Sequence, residues 1–141
     1  MLWTEWSRYA APVPACDQLI RWRGTVPAKR QVRPGVFALV NGLFRAGRLT
    51  AEEAAFRAHH NAWFDRNLTL PTDIDPTVYD HVINPGAVAW FRAGAMHCLR
   101  RVPGYLAILD AHGVGWERLD ARDAGRVVYE DDLQVVAVPA R

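Results

Sequence analysis

Hydrophobic and polar side chains alternate over residues 18–26. Ile20 and Trp22 share one side of an extended chain, while Arg21 and Arg23 share the other. Because successive side chains of a β-strand point to opposite faces of its sheet, the pattern predicts a half-buried strand. We expect Trp22 on the buried face and the two arginines, unpaired, on the exposed face.

Two helices are predicted after this strand. The first opens at Pro34, a residue suited to the first helical position, and ends near Gly47. The second starts at a capping box, in which the Thr50 hydroxyl accepts a backbone N–H and the Glu53 carboxylate reaches back. This helix should run to about Arg66. Its large side chains, expected to be buried, are Phe56, His60, Trp63 and Phe64.

Two pairs of residues, each ending in proline, predict further helix starts in the middle of the chain. Asp75-Pro76 should open a short helical turn, and Asn84-Pro85 a longer helix over residues 85–101. Pro103 ends that helix. A further helical segment should then run to Gly113, since glycine commonly caps the C-terminus of a helix.

The C-terminal part of the chain changes from helical to strand periodicity. Short strands are expected over residues 116–119, 126–130 and 133–138, with Asp131-Asp132 as a two-residue hairpin turn. Residues 135–138 are apolar on both faces. This predicts a central strand that is covered on both sides.

These elements predict an α+β fold in which three to five helices pack on a small antiparallel sheet. The early strand, about residues 18–26, and a C-terminal three-stranded meander, about residues 115–138, would form the sheet. No linker interrupts the pattern. We therefore expect one domain over residues 18–141 and an N-terminal arm, residues 1–17, packed on it.

The composition is that of a globular protein. The chain has 141 residues, of which 50% are hydrophobic and 23% charged, and its net charge is +2. One core suffices at this length, and this charge requires no polyanionic partner. Two cysteines make no disulfide framework, and no stretch has the pattern of a signal peptide or a membrane span. We expect a cytoplasmic protein that does not bind membranes, with homo-oligomer formation left open.

The sequence lacks the residue patterns that several kinds of catalytic or metal site require. Ser7 is the only serine and lies in no nucleophile-elbow motif. The five histidines lack the i, i+4 spacing of a zinc-binding helix, so we expect no metal, and no motif indicates a cofactor. Cys98 falls on an apolar helical stripe, which favours a structural role over a nucleophilic one.

The strongest functional signal is the segregation of charge along the chain. Between Asp17 and Glu52 there are seven basic residues and no acidic one, whereas residues 110–132 carry seven acids and three arginines. An arginine cluster can bind phosphate or carboxylate through its forked N–H donors, and a nearby tryptophan can stack on a ring. The candidate anion-binding residues are Arg21, Arg23, Lys29, Arg30 and Arg33, with Trp22 for stacking.

Our main interpretation is a non-catalytic binding protein whose basic face takes a nucleotide, a nucleic-acid backbone or an acidic protein patch. The alternative is an NAD-dependent enzyme, by analogy with ADP-ribosyl transferases. Arg21 or Arg23 would then hold the pyrophosphate, and Glu130 would stabilise an oxocarbenium ion, so these side chains would have to converge on one pocket. A third interpretation, in which the basic segment pairs with the acidic C-terminal third of the chain, stays open.

Overall fold

A computed structural model describes residues 18–28 and 32–140, and it confirms the predicted α+β fold. The predicted N-terminal arm, residues 1–17, lies outside these ranges. The strands are β1 Leu19–Gly24, β2 Val88–Arg92, β3 Trp116–Ala121, β4 Arg126–Glu130 and β5 Gln134–Val138. The longer helices are α1 Val36–Arg45, α2 Ala51–Asn67 and α5 Val102–Ala111, and the single-turn helices are α3 Pro71–Ile74 and α4 Met96–Leu99.

The five strands form one antiparallel sheet in the order β3-β1-β2-β5-β4. The early strand joins the C-terminal strands, as expected. The three-stranded meander is wrong, because β3 pairs with β1 at one edge, and only β4 and β5 form a hairpin. Periodicity identifies a strand but carries no information about its partner, so the sequence pattern did not reveal this arrangement.

The short link between β3 and β4 forces the sheet to curl. These strands lie at opposite edges, about 19 Å apart if a five-stranded sheet were flat. The chain from Ala121 to Arg126 spans about 18 Å at full extension. Because β3 and β4 are also offset along their length, the distance between their ends in a flat sheet would be longer than the link. The link therefore crosses one face of the sheet, where Ala124 packs against Leu19, Trp90, Val135 and Ala137.

The opposite face of the sheet holds the main hydrophobic core. Ile20 and Trp22 are both buried on this face, as their alternation predicts, and they pack with residues of α1 and α5. α2 begins at the predicted capping box: Glu53 N donates to Thr50 Oγ1 at 3.1 Å, and Thr50 N donates to Glu53 Oε1 at 2.9 Å. Its Phe56 contacts the same core. In the described ranges, no helix is long and apolar enough to cross a membrane.

Residues 85–101 depart most from expectation. They form β2 and α4 in place of one long helix. Asn84 does not cap a helix, because its side chain is buried and its amide donates to the backbone carbonyls of residues 77 and 78, at 3.1 and 3.2 Å. The segment Val88–Arg92 contains β-branched and aromatic residues that favour a strand, and β5 provides its partner.

β5 is the predicted central strand, since Gln134–Ala137 are buried and the strand lies between β2 and β4. The preceding turn is one residue longer than expected, because β4 ends at Glu130 and β5 begins at Gln134. The Asp131 carboxylate closes this turn. It accepts the backbone N–H groups of Leu133 and Gln134 at 2.9 and 3.0 Å.

Candidate functional site

The two sides of β1 are paired unequally. On one side, all six of its residues are in register with β3. On the other side, only two pairs join it to β2: Leu19 with Arg92 and Ile20 with Phe91. Beyond Ile20 the two strands part, and a cavity of about 890 Å³ is lined by residues of both. We call it the β1–β2 cleft.

Aromatic side chains form much of the wall of the β1–β2 cleft. Phe37 comes from α1, Phe64 from α2 and Phe91 from β2. The rings of Phe37 and Phe64 lie 5.1 Å apart, and the Phe91 ring lies 6.1 and 6.2 Å from them. The remaining aromatic residues of the lining are Trp22, Tyr79 and Trp90. These edge-to-face and tilted contacts make this part of the cleft wall apolar.

Arg21 is the charged group set deepest in this lining. Its side chain is partly buried, whereas the other charged residues of the lining (Asp65, Arg66 and Asp73) are exposed. Burial, with a smaller contribution from Arg23, lowers the pKa of Arg21 to about 10, so the guanidinium stays charged at neutral pH. Its Nη2 donates to the carbonyl oxygen of Arg33 at 2.7 Å.

No negatively charged partner for Arg21 occurs in the part of the chain that the structure describes. Among the described residues, no carboxylate lies within ion-pair distance of its guanidinium. Charges removed from water are normally compensated by an opposite charge, because their desolvation costs free energy. A partly buried, uncompensated cation in an aromatic cleft is therefore a place where an anion would be stabilised.

Tyr79 and Trp90 are two neutral side chains in the lining of the cleft. Burial raises the pKa of the Tyr79 hydroxyl, and the nearby positive charge of Arg21 opposes that shift. Trp90 Nε1 is buried away from the cavity, and no described residue accepts a hydrogen bond from it. Tyr79 is therefore the neutral donor near Arg21, and Trp90 contributes apolar wall.

Arg23 and Arg33 are not the free cations that the sequence suggested. Arg23 Nε and Arg33 Nη1 donate to the same oxygen, Glu117 Oε1, at 2.9 and 3.0 Å. The hydrogen bond from Arg23, followed by the charge of Arg23 and the contact with Arg33, lowers the pKa of Glu117. For these two arginines the expectation of an unpaired basic face is wrong, and pairing within the molecule occurs instead. Lys29 and Arg30 lie outside the described residues.

Trp22 is not an open stacking platform. Its side chain is only 7% exposed, and its ring packs edge-on against Phe91, with centroids 6.5 Å apart. The Arg118 guanidinium lies 5.5 Å from the centroid of the same ring. The residue borders the cleft but belongs to the core, because its strand position points it toward the helices.

Glu130 does not meet the arginines of β1. It is exposed on β4, where Arg92 Nη2 donates to its Oε2 at 2.9 Å. Two strands lie between β4 and β1 in the sheet, and Glu130 is not part of the cleft lining. The structure thus leaves Arg21, Arg23 and Glu130 apart, and the convergence that the NAD-dependent alternative requires is absent.

The described residues offer neither a metal-binding group nor a reactive cysteine. No group of three histidine, cysteine or acidic side chains among them could hold a metal ion. Cys98 is fully buried, and burial raises the pKa of its thiol to about 11. The thiol is therefore protonated at neutral pH, as a structural cysteine would be.

Sequence reasoning missed Tyr79 and Trp90. Both lie in segments for which the pattern predicted helix or turn, and Trp90 instead sits on the unpredicted strand β2. The β-rich composition of Val88–Arg92 was the available signal for that strand. Its partner, and therefore the gap beside Arg21, depends on contacts between distant parts of the chain.

We compared the chain with protein-family models, with curated proteins and with solved structures, and none of them matches it. The functional argument therefore rests on the geometry and charge of the β1–β2 cleft.

Proposed function

We propose that the protein binds a small anionic ligand in the β1–β2 cleft, with Arg21 contacting the negative charge. The observation that carries the proposal is the partly buried Arg21 guanidinium, for which the described residues supply no carboxylate. An anion would supply the electrostatic compensation that residues 18–28 and 32–140 do not provide. Hydrogen bonds to a charged group contribute about 1.5–3 kcal/mol each, enough to make Arg21 a main determinant of affinity.

The dimensions of the cleft favour a small molecule over a macromolecule. A cavity of about 890 Å³ falls within the range of roughly 300–1,000 Å³ that is typical of small-molecule sites. A nucleotide or another ring compound with an acidic group would match the aromatic walls. A nucleic-acid backbone or an acidic protein patch would instead need an extended basic surface, and Arg23 and Arg33 share the charge of Glu117.

The chemistry of the lining favours binding over catalysis. The described lining contains no histidine, cysteine or serine, and its two carboxylates, Asp65 and Asp73, are exposed. General acid–base or nucleophilic catalysis requires such a group within hydrogen-bond reach of the reacting atoms. We keep the cytoplasm as the proposed compartment, from the cysteine content.

Isothermal titration calorimetry tests this proposal with a panel of nucleoside monophosphates and aromatic carboxylates. We expect at least one of them to bind the unaltered protein. Arg21→Met should weaken that binding roughly ten- to a hundredfold, since it removes the hydrogen bonds to the charge. Arg48→Met is the matched control, because Arg48 is exposed and lies outside the cleft lining.

Two results would contradict the proposal. One is that no member of the panel binds at millimolar concentration. The other is that Arg21→Met and Arg48→Met bind with the affinity of the unaltered protein, because the anion would then be held elsewhere.

A further inference from the structure

The charges around the β1–β2 cleft limit the charge of its ligand. Two arginines and two aspartates occur in the described lining, and of these only Arg21 lies at partly buried depth. A single negative charge at Arg21 would be compensated. A second negative charge would meet no further partly buried cation, and at the exposed rim the two carboxylates, Asp65 and Asp73, outnumber the one cation, Arg66. The lining therefore favours a monoanion over a phosphate monoester, whose charge approaches −2 at neutral pH.

The donors of Arg21 fit a carboxylate. Its hydrogen bond to the Arg33 carbonyl uses Nη2, and in the described part of the chain Nε and Nη1 have no hydrogen-bond partner. A planar guanidinium presents its N–H groups in a fork that matches the two oxygens of a carboxylate. The contact to Arg33 holds this fork in place before a ligand arrives.

We infer that the ligand is an aromatic monocarboxylic acid. The inference rests on the proposed function and goes beyond it, because it fixes the acidic group and the charge of the ligand. The carboxylate binds Arg21, and the ring lies against aromatic side chains of the cleft lining.

Three probes with the same naphthalene ring test the acidic group: 2-naphthoate, 2-naphthyl phosphate and the neutral 2-naphthamide. Calorimetry at pH 7.5 should show 2-naphthoate binding at least about tenfold tighter than the other two. Tighter binding of the phosphate would overturn the monocarboxylate inference and leave the proposed function standing. If neither anion binds, or if the amide binds as well as 2-naphthoate, the proposed function itself fails.

Discussion

The two sides of β1 differ in how completely they pair with the neighbouring strands. Toward β3, the strand is paired along its whole length, and the Arg23 side chain meets Glu117 directly across the ladder. Toward β2, the pairing stops after two residues, and the Arg21 side chain faces a cleft. One strand thus carries a closed side, paired with β3 along its whole length, and a second side that is paired at both ends but leaves a gap beside Arg21. At the C-terminal end of that second side, Gly24 N donates to the Pro34 carbonyl at 2.8 Å.

This contrast shows that burial and pairing, more than charge itself, separate the roles of neighbouring arginines. Arg21 and Arg23 point to the same face of the sheet and look alike in the sequence. Arg23 is about one-third exposed and paired, whereas Arg21 is partly buried and has no described carboxylate partner. A paired surface cation contributes little free energy, and an unpaired buried one is costly unless a ligand compensates it.

The largest effect should come from Trp22, between the two arginines. Trp22→Ala should lower the free energy of unfolding by about 3–5 kcal/mol, because it removes a core side chain that is only 7% exposed. Val26→Ala, at a position that is 74% exposed, is the control and should change little. Urea denaturation checks both variants. A Trp22→Ala protein as stable as the unaltered one would show that this residue is a ligand platform and not part of the core.

A smaller loss of unfolding free energy is expected from a substitution at the start of α2. This helix places Phe64 in the wall of the cleft. Thr50→Ala should cost about 1 kcal/mol of unfolding free energy, because it removes the side-chain acceptor for the Glu53 N–H. Thr50→Ser keeps the hydroxyl and should stay close to the unaltered protein. Equal melting temperatures for all three would mean that the capping box does not stabilise the helix.

Local physics accounts for the parts of the fold that the sequence could predict. The alternation over residues 18–26 correctly separates Ile20 and Trp22 from Arg21, because it follows from the geometry of a single strand. The capping box at Thr50 is likewise complete within four residues. In each case the signal and the structure lie within the same short segment.

The site depends on features that no short segment contains. The cleft exists because β1 and β2, far apart in the chain, part after Ile20. Trp90 reaches the wall of the cleft only because its segment forms β2. Charge segregation singled out the region of the chain that contains Arg21, but Glu117 pairs with two of its other arginines, Arg23 and Arg33.

On the closed side, stability should depend modestly on pH through Glu117. Its pKa is lowered in the folded protein, first by the hydrogen bond from Arg23. The ion pairs should therefore contribute fully above the ordinary glutamate pKa of about 4.3 and lose their contribution as the pH falls through the folded value. The difference in unfolding free energy between the unaltered protein and Glu117→Gln should be constant from pH 7 to pH 5 and shrink below that, as urea denaturation would show.

Glu52→Gln serves as the control for this titration, because Glu52 is exposed and forms none of the ion pairs described for the sheet. A difference between the unaltered protein and Glu117→Gln that grows as the pH falls would contradict the assignment of the closed side to Glu117.

The central claim, that Arg21 serves a ligand and not the fold, is tested most directly by the stability of Arg21→Met with and without 2-naphthoate. Without ligand, its unfolding free energy should lie within about 1 kcal/mol of the unaltered protein, because the lost bond to Arg33 is offset by removal of an uncompensated charge. With 2-naphthoate at a hundred times its dissociation constant, the unaltered protein should gain about 2.7 kcal/mol and the variant much less. A variant that is severely destabilised without ligand, or one that gains as much stability as the unaltered protein, would contradict the claim.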